Sequence, residues 1–338
     1  MNDRWILGIA ALAACATMVG CGGDAPKGNV RVAKKLKVAA VFATPIEEPW
    51  DGCIHKALLR AKAELGVDYE WAESVANPGF ERVVREFAGR GFDLIMGDAF
   101  GSEEAVRRAA RDFPKTAFCF GSGLGPQAPN FSVFDNWIHE PAYLSGMIAG
   151  KLTKTNVIGA VGWYSVPEVN RLVNAFFAGA KSVNPKTRAK VVFINSWFDP
   201  PKAKEAVLAE TAFGADVFFG ERYGVIEACR EKGLLAFSNM QPQWQLAHDN
   251  VVTGPVWDMW PTVQEAIGRV RAGTWAAQNL ADWSMMRKGG ASLAPYHGFD
   301  TKLSPEIKAM VSEKQKDILD GRFTVPVNEK VPASDRLL

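Results

Sequence analysis

The cysteines of this sequence are few, and their spacing matches neither a disulfide framework nor a zinc site. Two of the five, Cys15 and Cys21, fall in the N-terminal segment. The other three, Cys53, Cys119 and Cys229, cannot all pair with one another, and none belongs to a CxxC motif. Cys119 stands between two phenylalanines, which is typical of a small buried hydrophobic residue. Disulfide scaffolding and structural zinc are therefore not expected.

Long blocks of like charge are also missing. The 338 residues include 39 basic and 37 acidic ones, and the formal net charge is only +2. A nucleic-acid-binding arm is therefore not expected. With 48% hydrophobic and 22% charged residues, the composition is that of a soluble globular protein, and the length suffices for two domains.

The motifs of common catalytic sites are absent as well. The four histidines show no HxxxH spacing, and the GxSxG, HExxH and P-loop patterns do not occur. The run GSGLG (121–125) partly resembles a dinucleotide loop, but PQAPN follows it instead of a helical pattern, which predicts a turn. Glu47 and Glu48 could form an acid/base pair, yet without a nucleophile or metal set a solvated loop is favoured. We expect a protein that is not an enzyme and uses no cofactor or metal.

An apolar run near the N-terminus is too short to span a membrane. Residues 5–20 (WILGIAALAACATMVG) are typical of an export signal. The run ends in Met18-Val19-Gly20-Cys21, which resembles a bacterial lipobox. This pattern predicts a signal peptide over 1–20, lipidation of Cys21 and a flexible tether over 21–35. A plain secretory signal cleaved nearby is the alternative.

From Leu36 onwards, short apolar runs alternate with amphipathic helical patterns, as in parallel βαβ units. The first half has candidate strands at 37–43, 67–72, 93–97, 117–121 and 130–134. A second series follows at 157–163, 190–197, 216–221, 234–239 and 250–256. Two consecutive doubly wound α/β domains predict a bilobed protein. Because ligands of open α/β sheets bind beyond the carboxyl ends of the strands, both sets of loops should face one cleft.

Aromatic side chains recur just after the predicted strands. The positions are Trp50, Phe100, Trp163, Tyr164, Trp197 and Trp257. Each alone could cap a core edge, but together they favour a flat ligand, since stacking contributes on the order of 1 to 3 kcal/mol per base. Polar residues at the same ends, which could bind the edge of such a ligand or only cap helices, are Asp98, Ser122, Glu221 and Asn239. Specificity would come from these polar groups, because a buried polar group left unpaired disfavours the wrong ligand.

Five segments make the chain resemble the basic membrane protein (BMP) family of bacterial lipoproteins, the purine-nucleoside-receptor type of substrate-binding protein of ABC importers. They are GFDLIMGDAFGSEEAVRRAARDFP (91–114), EPAYLSGMIAGKLTKTNVIGAVGW (140–163), PEVNRLVNAFFAGAKSVNP (167–185), NSWFDPPKAKEAV (195–207) and GADVFFG (214–220). The resemblance implies a type I periplasmic binding fold, whose two lobes close over a small-molecule ligand about a hinge. Lobe one is then expected at 36–138 plus 257–282, and lobe two at 139–256 plus 283–338. An ABC permease as partner, a monomer, and a lipid-anchored location on the outer side of a bacterial membrane are implied too.

Two departures from the family bear on the ligand. In the family, the loop after the first strand often has the sequence Asp-Lys-Gly followed by Phe-Asn, whereas this chain has TPIEEPWD (44–51). Trp50 of this loop still matches the position of a family ring that stacks on purine. The segment SNMQPQW (238–244) replaces an Asp-x-Asp that usually grips ribose, and Asn239 and Gln241 are neutral. A free purine base or similar heterocycle is therefore preferred to an intact nucleoside.

Two alternatives stay open beside an importer component. A protein that presents its closed form to a membrane receptor would use the same ligand-driven closure. An extracytoplasmic enzyme that acts on a heterocycle through Glu47 or Glu221 is the third possibility. Trp197, in NSWFD, resembles a family aromatic residue that faces the cleft, and it is expected to bind ligand in each case.

Overall fold

Ten short parallel strands, divided between two sheets, form the framework of this protein. A computed structural model describes residues 35–196 and 199–335. The predicted signal peptide, the lipidation site Cys21 and the ligand residue Trp197 lie outside the described residues, as does nearly all of the predicted tether. The two-lobed α/β architecture expected from the alternation of apolar runs and helical patterns is confirmed.

The first sheet has the strand order β2-β1-β3-β4-β5. Its strands are β1 (Lys37–Val41), β2 (Asp68–Ala72), β3 (Leu94–Asp98), β4 (Ala117–Gly121) and β5 (Phe131–Phe134), and its helices are α1 (Pro49–Glu64), α2 (Asn77–Gly89) and α3 (Glu103–Asp112). Every residue of β4 is buried, Cys119 included, as expected for a parallel strand covered by helices on both faces. The GSGLG run after β4 forms a turn, as predicted.

The second sheet has the order β10-β9-β8-β6-β7. Its strands are β6 (Val157–Gly162), β7 (Arg188–Phe193), β8 (Val217–Gly220), β9 (Leu235–Phe237) and β10 (Val251–Thr253). The helices α4 (His139–Leu152), α5 (Pro167–Val183), α6 (Pro200–Ala212) and α7 (Val225–Lys232) flank it. We call the parts built on the two sheets the first and the second lobe.

Two predicted strands of the second lobe are wrong in extent. The run 250–256 is not one strand: it divides into β10 and a separate strand β11 (Pro255–Trp257), which pairs antiparallel with β12 (Ala291–Leu293). The chain changes sheet at Gly254, where a Cβ would lie 2.1 Å from the carbonyl oxygen of Ser238. The run predicted at 190–197 ends at Phe193, because Asn195 takes a left-handed conformation with φ of 51°.

Helices α4 and α5 approach each other closely because two glycines face across their contact. A Cβ on Gly146 would lie 1.8 Å from the carbonyl oxygen of Phe176, and one on Gly179 would lie 1.9 Å from that of Tyr143. The missing side chain on each glycine is what allows this close packing. The contact makes α4 and α5 a single packed layer beneath the second sheet.

The C-terminal part of the chain returns to both lobes. Helix α8 (Trp260–Ala272) packs on α1, and the backbone of 278–280 hydrogen-bonds to β5. Helix α9 (Pro305–Leu319) packs on α4. The division of residues between the lobes in the sequence analysis stays a prediction.

Candidate ligand-binding cleft

The turn from β1 into α1 contains two acids, the exposed Glu47 and the partly buried Glu48. Glu48 is the N-cap residue of α1, and its Oε2 accepts the backbone N–H groups of Trp50 (2.8 Å) and Asp51 (3.2 Å). Burial raises the pKa of Glu48, while the nearby Arg222 guanidinium opposes that rise. The interpretation as a solvated pair holds for the exposed Glu47 and is wrong for Glu48, because Glu48 caps the helix.

Trp50 lies in the first turn of α1, and its ring packs on other aromatic rings. It stacks on Phe134 with 5.8 Å between centroids and lies 5.0 Å from Trp257 at 57°. Trp50 is only 3% exposed, and a Cβ on Gly121 would lie 1.9 Å from its ring. Its Nε1 has no acceptor among the residues that the structure describes. The predicted residues Trp50 and Trp257 therefore come together, but as one packed cluster and not as an open stacking face.

Glu221 and Arg222 directly follow β8, at the carboxyl end of this central strand of the second sheet, and carry opposite charges. Arg222 donates from Nε to Oε2 of Glu221 (2.8 Å) and from Nη2 to Oε1 (2.7 Å). Its guanidinium lies over the ring of Trp163, 3.6 Å from the centroid. Asn239 donates from Nδ2 to Oε1 of Glu221 (3.2 Å). Three predicted residues, Trp163, Glu221 and Asn239, are thus gathered around Arg222, which lies outside the predicted set.

Asp98 is the last residue of β3 in the first sheet. Its Oδ1 accepts the backbone N–H of Phe100 (2.9 Å), and the Ser122 hydroxyl also hydrogen-bonds the carboxylate. Burial raises the pKa of Asp98 to about 7, and the charges of Glu48 and Asp135 add to the rise. The side chain of Phe100 is exposed, and its backbone N–H donates the hydrogen bond to Asp98. The predicted pair Asp98 and Ser122 is therefore brought together.

Two further carboxyl groups of this region lie outside the predicted set. Burial and then the charge of Asp98 raise the pKa of Asp51 well above its usual value. Burial and then the charges of Asp135 and Asp98 raise the pKa of Glu168 in the same way. Both acids lie in the first turn of a helix that follows a strand. Their sequence signal is that of any acid at a helix start, which explains why pattern reasoning missed them.

A cavity of about 550 Å³ separates loops of the two lobes. It is lined by Thr44, Pro45, Glu47 and Glu48 from the first lobe and by Pro200, Tyr223 and Glu227 from the second. This volume falls in the range of small-molecule sites. Tyr223 supplies an aromatic wall, whereas the predicted Tyr164 packs half-buried against the core. The cavity is ligand-sized, but none of the predicted ligand residues that the structure describes is among those that line it.

Within residues 35–196 and 199–335, no three histidine, cysteine or acidic side chains are grouped to hold a metal ion. In the same described part, the helices are too short or too polar to cross a membrane.

Comparison with known proteins identifies the family. A family model described as PnrA-like ABC transporter substrate-binding protein (Bmp) matches residues 35–327. A putative ABC transporter glucose-binding protein of Haloferax volcanii is 32% identical over 273 residues, which cover 79% of this chain and 68% of that protein. A purine-binding protein of Brucella abortus is 30% identical over 312 residues, which cover 90% of this chain and 87% of that protein.

The fold is shared with solved structures. A solute-binding protein of an ABC transporter system from Conexibacter woesei is similar with a TM-score of 0.70 and 24% identity, over 86% of this chain and 99% of that one. Its likeness confirms the two-lobed, type I periplasmic binding fold. The resemblance in the sequence is confirmed as well: the chain belongs to the Bmp family of PnrA-like ABC transporter substrate-binding proteins.

Proposed function

We propose that this protein binds a purine base, or a similar flat heterocycle, in the cleft between its lobes and delivers it to the permease of an ABC importer. The observation that carries the proposal is the presence of aromatic residues near the carboxyl ends of the strands in both sheets. One edge has the cluster of Trp50, Phe134 and Trp257, and the other has Trp163 beneath Arg222. The purine-binding relative of Brucella abortus supports the same class of ligand.

A free base fits the polar groups of the second lobe better than a nucleoside does. Ribose hydroxyls call for a carboxylate acceptor, but Asn239 and Gln241 are neutral. The adjacent carboxylate of Glu221 already accepts hydrogen bonds from Arg222 and Asn239. The side chain of Gln241 is directed at the first lobe, with Nε2 3.5 Å from the carbonyl oxygen of Pro49. An intact nucleoside is the second candidate, because a cavity of about 550 Å³ is larger than a base alone requires.

Calorimetric titration of the full-length chain in detergent with adenine, guanine, hypoxanthine, xanthine, adenosine and glucose tests the proposal. We expect a base to bind with micromolar or tighter affinity, on the scale at which stacking contributes about 1 to 3 kcal/mol per base. Glucose is included because one relative carries that name. Mass spectrometry of small molecules released on denaturation identifies the ligand without a candidate panel. No detectable binding of any purine in the titrations, or release of a sugar on denaturation, would overturn the purine proposal.

A pair of tryptophan variants tests the role of the aromatic cluster. Trp50→Phe keeps an aromatic ring and removes Nε1, so we expect base affinity to fall several-fold. Trp275→Phe is the matched control, because Trp275 donates from Nε1 to the carbonyl of Asn130, at the opposite end of the first sheet. Equal affinity in both variants would remove Trp50 from the site.

The proposal includes a lipid anchor at Cys21 and a role in import. Cys21→Ser should abolish incorporation of labelled palmitate and release the protein from the membrane fraction. Deleting the genes of a neighbouring ATPase and permease should stop uptake of the bound base. If uptake continues and a neighbouring histidine kinase loses its response instead, the protein is a ligand sensor.

A further inference from the structure

The C-terminal segment 328–335 lies along the second lobe in an irregular, extended course, and we call it the strap. Two asparagines of α5 bind its main chain. Nδ2 of Asn174 donates to the carbonyl oxygens of the residues before and after Glu329, both at 2.8 Å, and Nδ2 of Asn170 donates to that of Glu329 at 3.0 Å. Because Asn170 and Asn174 are four positions apart, they lie on one face of the helix. Three successive carbonyl groups of the strap are thus held by α5.

The far end of the strap pairs with β7, which is an outer strand of the second sheet. Asp335 donates its backbone N–H to the carbonyl oxygen of Ala189 at 2.8 Å, and its Oδ2 accepts the N–H of Ala189 at 2.7 Å. Oγ of Ser334 accepts the backbone N–H of Val191 at 3.3 Å. These contacts satisfy backbone groups that an outer strand would otherwise leave open. The strap therefore has two separate attachments, one to α5 and one to β7.

Arg171, on the same helix as the two asparagines, joins the strap to another part of the chain. Its Nη1 donates to Oε1 of Glu329 at 2.9 Å. Its Nη2 donates to the carboxylate of Asp135 and, at 3.2 Å, to Oδ1 of Asn136. The guanidinium also lies over the ring of Trp137, 4.0 Å from the centroid. Arg171 is only 2% exposed, so solvent screens these contacts little.

Asp135, Asn136 and Trp137 belong to the irregular segment 135–138, which leads from β5 of the first lobe into α4 of the second. We call this segment the crossing. The backbone N–H of Trp137 donates to the carbonyl oxygen of Asp135 at 3.0 Å, and that of Ile138 donates to the carbonyl oxygen of Asn136 at 2.7 Å. Both hydrogen bonds close turns of three residues. Hinges between lobes are short loop segments of this kind, in which a few residues take up the rotation. Arg171 therefore holds the strap and a hinge segment with one guanidinium.

We propose that the strap braces the hinge: Glu329 holds the guanidinium of Arg171 against the crossing, and this favours the arrangement in which the two lobes touch. In that arrangement Nε2 of Gln241, from the second lobe, lies 3.5 Å from the carbonyl oxygen of Pro49 and 3.8 Å from Sγ of Cys53, both in α1. Once the strap is loosened, the guanidinium and the crossing can move, and the lobes part more often. A binding-competent arrangement that is less populated lowers affinity in proportion, so the strap acts on the cleft from outside it.

Three native thiols report movement of the lobes and unfolding of a lobe separately. Cys53 lies at the contact between the lobes, whereas Cys119 is buried in β4 of the first lobe and Cys229 in α7 of the second. Burial raises the pKa of Cys53 to about 12, so this thiol reacts slowly while the lobes touch. Alkylation of the ligand-free, full-length chain in detergent with iodoacetamide, followed by peptide mass spectrometry, measures all three rates in one sample.

Two double variants release the two ends of the strap. Asn174→Ala with Glu329→Ala removes side-chain contacts at the α5 end; both side chains are at least partly exposed, so the variant should fold. Ser334→Ala with Asp335→Ala is the matched control, because it removes the side-chain contacts to β7. We expect alkylation of Cys53 to become at least several-fold faster in the first variant and to stay unchanged in the second.

Cys119 and Cys229 should keep their rates in both variants, because each lobe stays folded. Unchanged alkylation of Cys53 in the variant released from α5 would overturn the brace. A parallel rise at all three thiols would overturn it too, since that pattern reports a loss of lobe stability. An equal rise at Cys53 in both variants would contradict the role given to Arg171. No ligand is added, so each outcome is independent of the purine proposal.

Discussion

Oε1 of Glu48 and Nη1 of Arg222 lie 3.9 Å apart across the cleft. Each side chain is fixed within its own lobe, Glu48 as the helix cap of α1 and Arg222 by Glu221 and the ring of Trp163. The distance exceeds a charge-assisted hydrogen bond by about 1 Å. The two charges are therefore held in place before contact, and a small movement of the lobes would join or part them.

The two partners of this ion pair should differ in their effect on stability. Arg222→Gln leaves the buried carboxylate of Glu221 without its cation, and we expect the free energy of unfolding to fall by about 3 to 5 kcal/mol. Glu48→Gln should cost less than about 1 kcal/mol, because glutamine still caps α1 and Arg222 keeps Glu221. Urea denaturation of the ligand-free variants measures both values. Equal losses would show that the interlobe pair, and not the pair within the second lobe, stabilises the protein.

The close contact of α4 and α5 should make Gly146 intolerant of any side chain. A Cβ there would lie 1.8 Å from a backbone oxygen, so Gly146→Ala must separate the helices. We expect the free energy of unfolding to fall by several kcal/mol, since overpacking changes cost about 1 to 3 kcal/mol or more. Gly268→Ala in α8 meets no atom within 4 Å and should stabilise by about 0.5 to 1 kcal/mol. Thermal unfolding compares the two. A neutral Gly146→Ala would contradict the packing described.

Asp98 should make stability depend on pH. Its pKa is about 7 in the folded protein and about 4 when unfolded, so the folded state binds the proton more strongly. The stabilisation from this group is complete below pH 4 and is lost as the pH rises to about 7. Asp98→Asn removes the loss, and we expect it to raise the stability of the ligand-free protein at pH 8 by on the order of 4 kcal/mol, with little change at pH 4. An equal effect at both pH values would rule out titration of Asp98 as the cause.

Arg171 should be more important for stability than either of its partners. It is 2% exposed, donates to Asp135 before α4 and to Glu329 in the C-terminal segment, and covers the ring of Trp137. Arg171→Gln should cost about 3 to 5 kcal/mol, because it removes a buried cation that holds the partly buried carboxylate of Asp135. Glu329→Gln should cost less than about 1 kcal/mol, since its side chain is 40% exposed. Chemical denaturation checks both, and a Glu329→Gln loss as large as that of Arg171→Gln would contradict this ranking.

The sequence predicted the central strands well because a central strand of a doubly wound sheet is buried on both faces. Such a strand appears as a continuous apolar run, and β4, with all five residues buried, matches its predicted bounds. The same property caused the error at 250–256. An apolar run does not show where a chain leaves one sheet for another, and only the approach of Gly254 to Ser238 reveals the change at this point.

The candidate site was less predictable from the sequence. The strand-end rule found Glu221 and Asn239, which do meet, because the position of a residue after a strand fixes which sheet edge it occupies. It could not show that Arg222 covers Trp163 or that Trp50 is buried, since side-chain direction depends on contacts between distant segments. Glu168 was missed because its burial arises from the approach of the two lobes.

The aromatic cluster at the start of α1 gives the protein an optical property of its own. Trp50 and Trp257 lie 5.0 Å apart at 57°, and Phe134, beside both, ends the last strand before the chain crosses into α4. Two indole chromophores this close couple electronically and produce a paired band in near-ultraviolet circular dichroism. The sign and size of that band depend on the angle between the rings, so a change in the packing of this cluster can be followed in solution without attaching a dye.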